Sequence, residues 1–247
     1  MSNHYHIVAT DPEGKLPAFM SWLNEFIAKA LNCVWGRWEY FWAPNTYSAV
    51  RLETPDDVID KLIYTLANPV KACLVSDSSK WPGVTSRTAP FGAKQHFQMP
   101  KAFFRKNGPL PETASLVLEV PQAFELTPSE FKTLLNKRMK DTEADLIGIA
   151  KSQKKAFVGI AKVKALRHTD CPQSFEIKRN LNPHVASKNG GALRNALYRL
   201  RWFQSEYAAA RERLHKGENS VVFPFGTYGL QKLVLIQAIP PPDLFSA

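Results

Sequence analysis

The sequence predicts an α+β fold, in which a small antiparallel sheet with packed helices is followed by a mainly helical, basic C-terminal region. Three observations carry that expectation. Apolar residues recur at helical spacing behind clear start signals, strand texture stands at the head of the chain and near residue 115, and the surplus of positive charge gathers in the last hundred residues. At 247 residues, with 45% apolar and 11% aromatic side chains, the chain can build the core of one large domain or of two ordinary ones.

The first element is a strand at Ser2 to Val8, where alternation of side chains puts His4 and His6 on one face. Pro17 to Leu31 reads as an amphipathic helix, because Phe19, Leu23, Phe26, Ile27 and Ala30 recur at its period, Pro17 suits the first turn, and Gly36 closes the neighbourhood. A second helix starts with Thr54 as N-cap and Pro55 at N1, and carries Asp56 and Asp57 where the positive end of the dipole favours carboxylates. Its apolar stripe is Val58, Ile59, Leu62, Ile63 and Leu66. Asp57, Lys61, Tyr64 and Asn68 fall on the opposite face, directed away from the packing surface. Pro69 has no N–H and restricts the residue before it, so the helix is expected to end or kink at Asn68.

After Trp81-Pro82 the texture turns to loops rich in Pro, Gly and Ser as far as about residue 113, with a domain boundary expected between 85 and 95. Ala114 to Val120 is the next strand candidate. Thr127 to Lys140 has a capped helical start, further helices are expected at 143 to 167 and 191 to 216, and Val221 to Tyr228 reads as strand or turn. Pro240-Pro241-Pro242 marks a tail.

The formal charge of +10 is unevenly placed. Residues 1–147 hold 16 Lys and Arg against 16 Asp and Glu, whereas residues 148–247 hold 16 against 6. A basic region of that kind suits a polyanion such as nucleic acid, and equally a solvated surface. No apolar run reaches the length of a membrane span and the start lacks the pattern of a signal peptide, so a cytoplasmic protein without a membrane partner is expected. Cys33, Cys73 and Cys171 are odd in number and far apart, which argues for reduced, buried thiols rather than disulfides or a zinc site.

Taken singly, each candidate site has a plain alternative. His4 and His6 are two metal ligands or an incidental pair. Tyr64 is a nucleophile or a half-buried packing residue, and Lys61, one turn before it, is a phosphate contact or a solvated lysine. Asn189-Gly190-Gly191 cradles an anion or is a loop. Lys178, Arg179, Lys188, Arg194, Arg199 and Arg201 lie in a stretch with few acids. Arg194, Tyr198 and Arg201 share one side of a helix, where Tyr198 either stacks on an unpaired base or packs inward.

Two strings taken together carry a family resemblance. Ser2-Asn3-His4-Tyr5-His6-Ile7-Val8 resembles the PNHxH strand of the REP-associated tyrosine transposases, members of the HUH nuclease superfamily. Tyr64-Thr65-Leu66-Ala67-Asn68-Pro69-Val70-Lys71-Ala72-Cys73-Leu74-Val75, followed by Trp81-Pro82, is similar to that family's YIxxNPVRAGLV and WP segment. The similarity covers residues 1 to about 86. Less specific matches continue through Phe103-Phe104-Arg105, Asn182-Pro183-His184-Val185-Ala186 and Phe223-Pro224-Phe225-Gly226-Thr227-Tyr228.

The resemblance implies a ferredoxin-like catalytic sheet, Tyr64 as nucleophile, and His4, His6 and Asn68 as ligands of a divalent ion, Mg or Mn. It implies single-stranded DNA as substrate, with hairpin-forming repeat ends, and either a monomer or a homodimer. A free tyrosine has a pKa of about 10, so the phenol needs its proton removed or its anion stabilised, and the ion would draw charge from the phosphate under attack. The product implied is a 5′-phosphotyrosine link with a free 3′-hydroxyl. In the family, strand and helix precede the His-x-His strand, whereas here Met1 lies two residues before Asn3, so residues 1–88 are expected to be a partial catalytic domain of low or no activity. Residues 89–247 would be a C-terminal extension, basic from about 148 and DNA-binding. The alternative is a DNA-binding protein without catalysis. A third reading, a His-x-His phosphoesterase of small molecules, lacks a second motif of the kind that chemistry uses.

Overall fold

The computed structural model describes residues 4–43, 47–100, 103–105, 107–108, 110–167, 169–170, 183–228, 230 and 237–238. These residues mix helix with short strands, as an α+β sequence requires. They form two compact units, each discontinuous in sequence: Met1–Thr10 with Thr54–Pro183, and Asp11–Glu53 with His184–Ala247. The boundary expected between residues 88 and 89 falls inside the first unit, and the segment 11–53 clusters with the C-terminal stretch.

In the first unit, helix α2 (Pro55–Lys71) begins with a full capping box. Thr54 accepts from the Asp57 N–H, and the Asp57 carboxylate accepts from the Thr54 N–H. Helix α3 (Pro128–Ser152) starts in the same way, with Thr127 and Glu130 exchanging the two bonds. Most of the expected stripe of α2 packs, with Ala67 added and Val58 outside the cluster: Ile59, Ile63, Leu66 and Ala67 bury themselves against Phe131, Leu135 and Met139 of α3, with Leu62, Phe91, Val120 and Phe124 at the margin. Phe91 and Phe124 meet Phe131 at ring distances of 5.1 and 5.2 Å.

A polar seam joins the loop after α2 to α3. The Glu143 carboxylate accepts from the N–H and hydroxyl of buried Ser78, Arg87 reaches Asn136 at 2.8 Å, and Lys132 donates to the Ala89 carbonyl at 2.8 Å. Burial holds the Lys132 ammonium below its ordinary pKa, helped by the neighbouring Arg87 charge.

Several expectations are corrected here. Helix α2 does not stop at Asn68; it runs through Pro69 to Lys71. Pro69 lies in the last turn, where its missing N–H costs one ladder bond, and both Pro69 and Val70 are buried. The exit is held by the Leu74 N–H on the Pro69 carbonyl at 2.9 Å, and by Val158 and Gly159 donating to the Cys73 and Leu74 carbonyls at 2.9 Å each. The helices expected at 127–140 and 143–167 are one helix to Ser152 followed by short α4 (Ile160–Ala165).

Strands β2 (Lys94–Gln98) and β3 (Thr113–Val117) pair antiparallel, β2 lying where the sequence reads as loop. Lys94-Gln95-His96-Phe97-Gln98 has one large apolar residue and the pair is largely exposed, so hydrogen bonding defines it and hydrophobic alternation does not.

The second unit holds α1 (Leu16–Trp35), α5 (Gly190–His215) and two parallel two-residue pairs, β1 (Arg51–Leu52) with β4 (Val185–Ala186) and β5 (Val222–Phe223) with β6 (Gln237–Ala238). Gly36 ends α1 at φ 61°, a left-handed cap in which the Arg37 N–H reaches the Asn32 carbonyl at 2.9 Å. Phe223, Val221 and Ala210 form the buried cluster of α5, with Tyr207 and Leu214 beside them. Cys33 on α1 is exposed and Cys73 half-buried, against the expectation of burial, while Cys171 lies outside the described residues. The small antiparallel sheet expected beneath the helices is thus, among the described residues, the single pair β2–β3. No helix among them is long and apolar enough to cross a membrane.

The α2–α3 seam sets the stability of the first unit. Phe131→Ala is expected to cost about 3–5 kcal/mol, and Thr127→Ala, which removes only the cap, about 1 kcal/mol; urea unfolding of both variants checks the ratio.

Candidate functional site

Once α2 is anchored by its apolar stripe, the residues on its other side are determined by rotation about the helix axis. Tyr64 is 40% exposed on that side, between Lys61 one turn before it and Lys71 two turns after it. His6 meets the Tyr64 ring edge-to-face at 5.7 Å, and His4 meets the His6 ring in the same manner at 5.0 Å. The Lys61 and Lys71 ammonium groups lie 5.4 and 4.6 Å from the Tyr64 ring centre. An aromatic pair of this geometry contributes about 0.5–1.5 kcal/mol and an exposed cation on a ring about 0.5–1 kcal/mol, enough to orient Tyr64 without burying it.

Residues 4–10 belong to none of the described strand pairs, so the strand expected for His4 and His6 is not seen, although their rings adjoin as alternate positions should. His6 keeps contact with solvent, yet partial burial strips enough water from the ring to hold its pKa below 6.5, assisted by the His4 and Lys61 charges. The expectation that Asp57 and Asn68 point away from the packed side is corrected. Asp57 is buried by its own capping bonds, and Asn68 is only 6% exposed in the last turn of α2, where the returning chain caps the carbonyls of Asn68 and Pro69.

The donor set suits a divalent ion in part. Two adjacent imidazoles, one biased toward the neutral form, are competent ligands. Among the described residues no group of three His, Cys, Asp or Glu side chains could hold a metal, and the ligand set that the resemblance implies adds only the neutral amide oxygen of Asn68 to the two imidazoles. A set without a carboxylate predicts weak, exchangeable binding of a hard cation.

In the second unit, α5 shows which of the basic residues face outward. Tyr198 is 72% exposed and does not pack inward; Trp202, one turn on, is half-exposed, and Arg194 and Arg201 share their side of the helix. Arg199 is taken up by the buried carboxylate of Glu53 and is not part of that face. The side chain of Asn189 accepts from the amides of Gly191 and Ala192 at 2.9 and 3.0 Å, so that turn is a helix cap with its donors satisfied rather than an open anion cradle. Lys188 is exposed just before it, and Lys178 and Arg179 lie outside the described residues.

Lys71 and Trp202 are site residues that the sequence reading passed over. Helical spacing carries both, Lys71 at seven residues from Tyr64 and Trp202 at four from Tyr198, and a helix stop at Pro69 hides only Lys71. In comparisons with known proteins, the chain matches no family model, no curated protein and no solved structure.

The depressed His6 pKa has a defined sign. Its neutral form adds stability that is complete above pH 6.5 and is lost as pH falls through the folded-state value. A histidine NMR titration is expected to place the His6 midpoint below 6.5, and Lys61→Gln to move it upward.

Proposed function

We propose that this chain is a relative of the REP-associated tyrosine transposases and that its α2 centre cuts and rejoins single-stranded DNA. The supporting observation is that residues of two separate motifs meet: His6, from one end of the chain, touches the ring of Tyr64 at 5.7 Å, with His4 behind it. An accessible phenol beside two imidazoles and two ammonium groups is equipment for attack on a phosphodiester.

In this reaction the Tyr64 oxygen forms a bond to phosphorus, the phosphorus–O3′ bond breaks, the phenolic proton passes to solvent, and the leaving oxygen takes up a proton to become a 3′-hydroxyl. One diester is exchanged for another, so the reverse step rejoins strands without ATP. His4, His6 and Asn68 would hold a divalent ion, Mg or Mn, which when bound withdraws charge from a non-bridging phosphate oxygen. Lys61 adds positive charge on the same side of α2. The ferredoxin-like sheet, hairpin-forming repeat ends and a homodimeric assembly belong to the same proposal and draw no support from the described strand pairs.

With a labelled single-stranded hairpin and Mn, the full chain is expected to yield a covalent adduct in low amount, in keeping with the low activity expected of residues 1–88, that survives denaturing electrophoresis. Tyr64→Phe should abolish the adduct and retain DNA binding, since loss of one exposed hydroxyl leaves the packing intact. An undiminished adduct in Tyr64→Phe assigns the nucleophile elsewhere, and no adduct from the native chain sinks the catalytic reading.

The exposed face of α5 favours a second reading, DNA binding without catalysis. Arg194 and Arg201 flank Tyr198 there, giving phosphate contacts beside a ring free to stack on an unpaired base. In the full chain, Arg194→Gln with Arg201→Gln is expected to shallow the log–log salt slope of single-strand binding by about 0.7 per contact. Tyr198→Ala should weaken binding by about 1–3 kcal/mol at an unchanged slope. Unaltered binding in all of these variants would remove α5 from the interface.

A further inference from the structure

Continuation of α2 through Pro69 carries Lys71 onto the face that bears Tyr64. A helix ending at Asn68 would have released Lys71 into a loop. Helical side chains lean toward the N-terminus, and Lys71 accordingly lies back along α2 until its ammonium is 4.6 Å from the Tyr64 ring centre, nearer than Lys61 at 5.4 Å. Two like charges thus converge on one ring. On the same side of α2, the Asp57 carboxylate accepts from the Thr54 N–H and hydroxyl at 3.1 and 2.6 Å. Two ammonium groups beside one phenol repel one another, and a tetrahedral oxyanion between them would offer an oxygen to each.

We propose that Lys61 and Lys71 form a phosphate seat around Tyr64, in which Lys71 is a positioning residue that holds the diester of a DNA strand against the phenol. The proposal rests on the strand-transfer reading above and adds a residue and a role to it. Lys71 binds as a point charge, so arginine can replace its charge and span the distance, while glutamine removes the charge and keeps a polar, slightly shorter side chain.

The test compares the native chain with Lys71→Gln and Lys71→Arg. Fluorescence anisotropy of a short single-stranded oligonucleotide is read across a salt series, and the adduct rate is read on the hairpin substrate. Lys71→Gln is expected to shallow the salt slope by about 0.7, the value of one lost single-strand phosphate contact. It should also slow adduct formation by roughly 10- to 100-fold, as loss of a positioning contact does. Lys71→Arg should restore both. A merely structural lysine would move neither the slope nor its rescue. A slope in Lys71→Gln equal to that of the native chain overturns the seat, whatever the adduct rate. If the native chain forms no adduct, the strand-transfer reading fails by itself, and the slope still decides between a phosphate seat at Lys71 and none.

Discussion

Burial of one stripe of α2 against α3 is the constraint on which the candidate centre depends. Ile59, Ile63 and Leu66 recur every three or four residues, and their packing on Phe131, Leu135 and Met139 leaves α2 a single rotational setting. With that setting, Lys61, Tyr64 and Lys71 have to face the other way. The two capping boxes act in the same sense, since Thr54 and Thr127 determine where each helix begins and hence the register in which the stripes meet. Position of the site is therefore a consequence of hydrophobic packing, and its chemistry of whatever the exposed side carries.

Pro69 shows how a local rule yields to its surroundings. Proline in the last turn removes one ladder hydrogen bond and its ring still crowds the carbonyl one turn back, so Pro69 carries a real cost. Burial of Pro69 and Val70, with the bonds that Leu74, Val158 and Gly159 make around the helix end, more than offsets that loss. The outcome reaches function, because one additional turn decides whether Lys71 belongs to the centre or to a loop.

The basic C-terminal region divides when seen in the fold. Arg199 serves structure, neutralising a carboxylate that is itself buried, whereas Arg194 and Arg201 stand outward around Tyr198. An aromatic as exposed as Tyr198 does not serve a core, and its basic neighbours suit a flexible polyanion better than an apolar partner. Residues 11–53 share a unit with this region, so division of the chain by sequence order, with everything before residue 88 catalytic, does not follow the compact units.

Much of α2 was legible from the sequence alone: its cap, its stripe, and the side on which Lys61 and Tyr64 lie. So were the capped start of α3, the extent of α5, and the Gly36 stop. These are signals of period and capping, held within a few residues of each other, and such signals survive without knowledge of the partner surface. The meeting of His6 with Tyr64 was expected only through a family resemblance, since contacts across sixty residues leave no trace in periodicity. Only the tertiary structure decided the burial of Asn68, the pairing of exposed β2 with β3, the ion pair of Arg199 with Glu53 and the passage of α2 through Pro69. Each of these is a balance between a local preference and contacts supplied by distant parts of the chain, and a linear pattern holds only the first half of that balance.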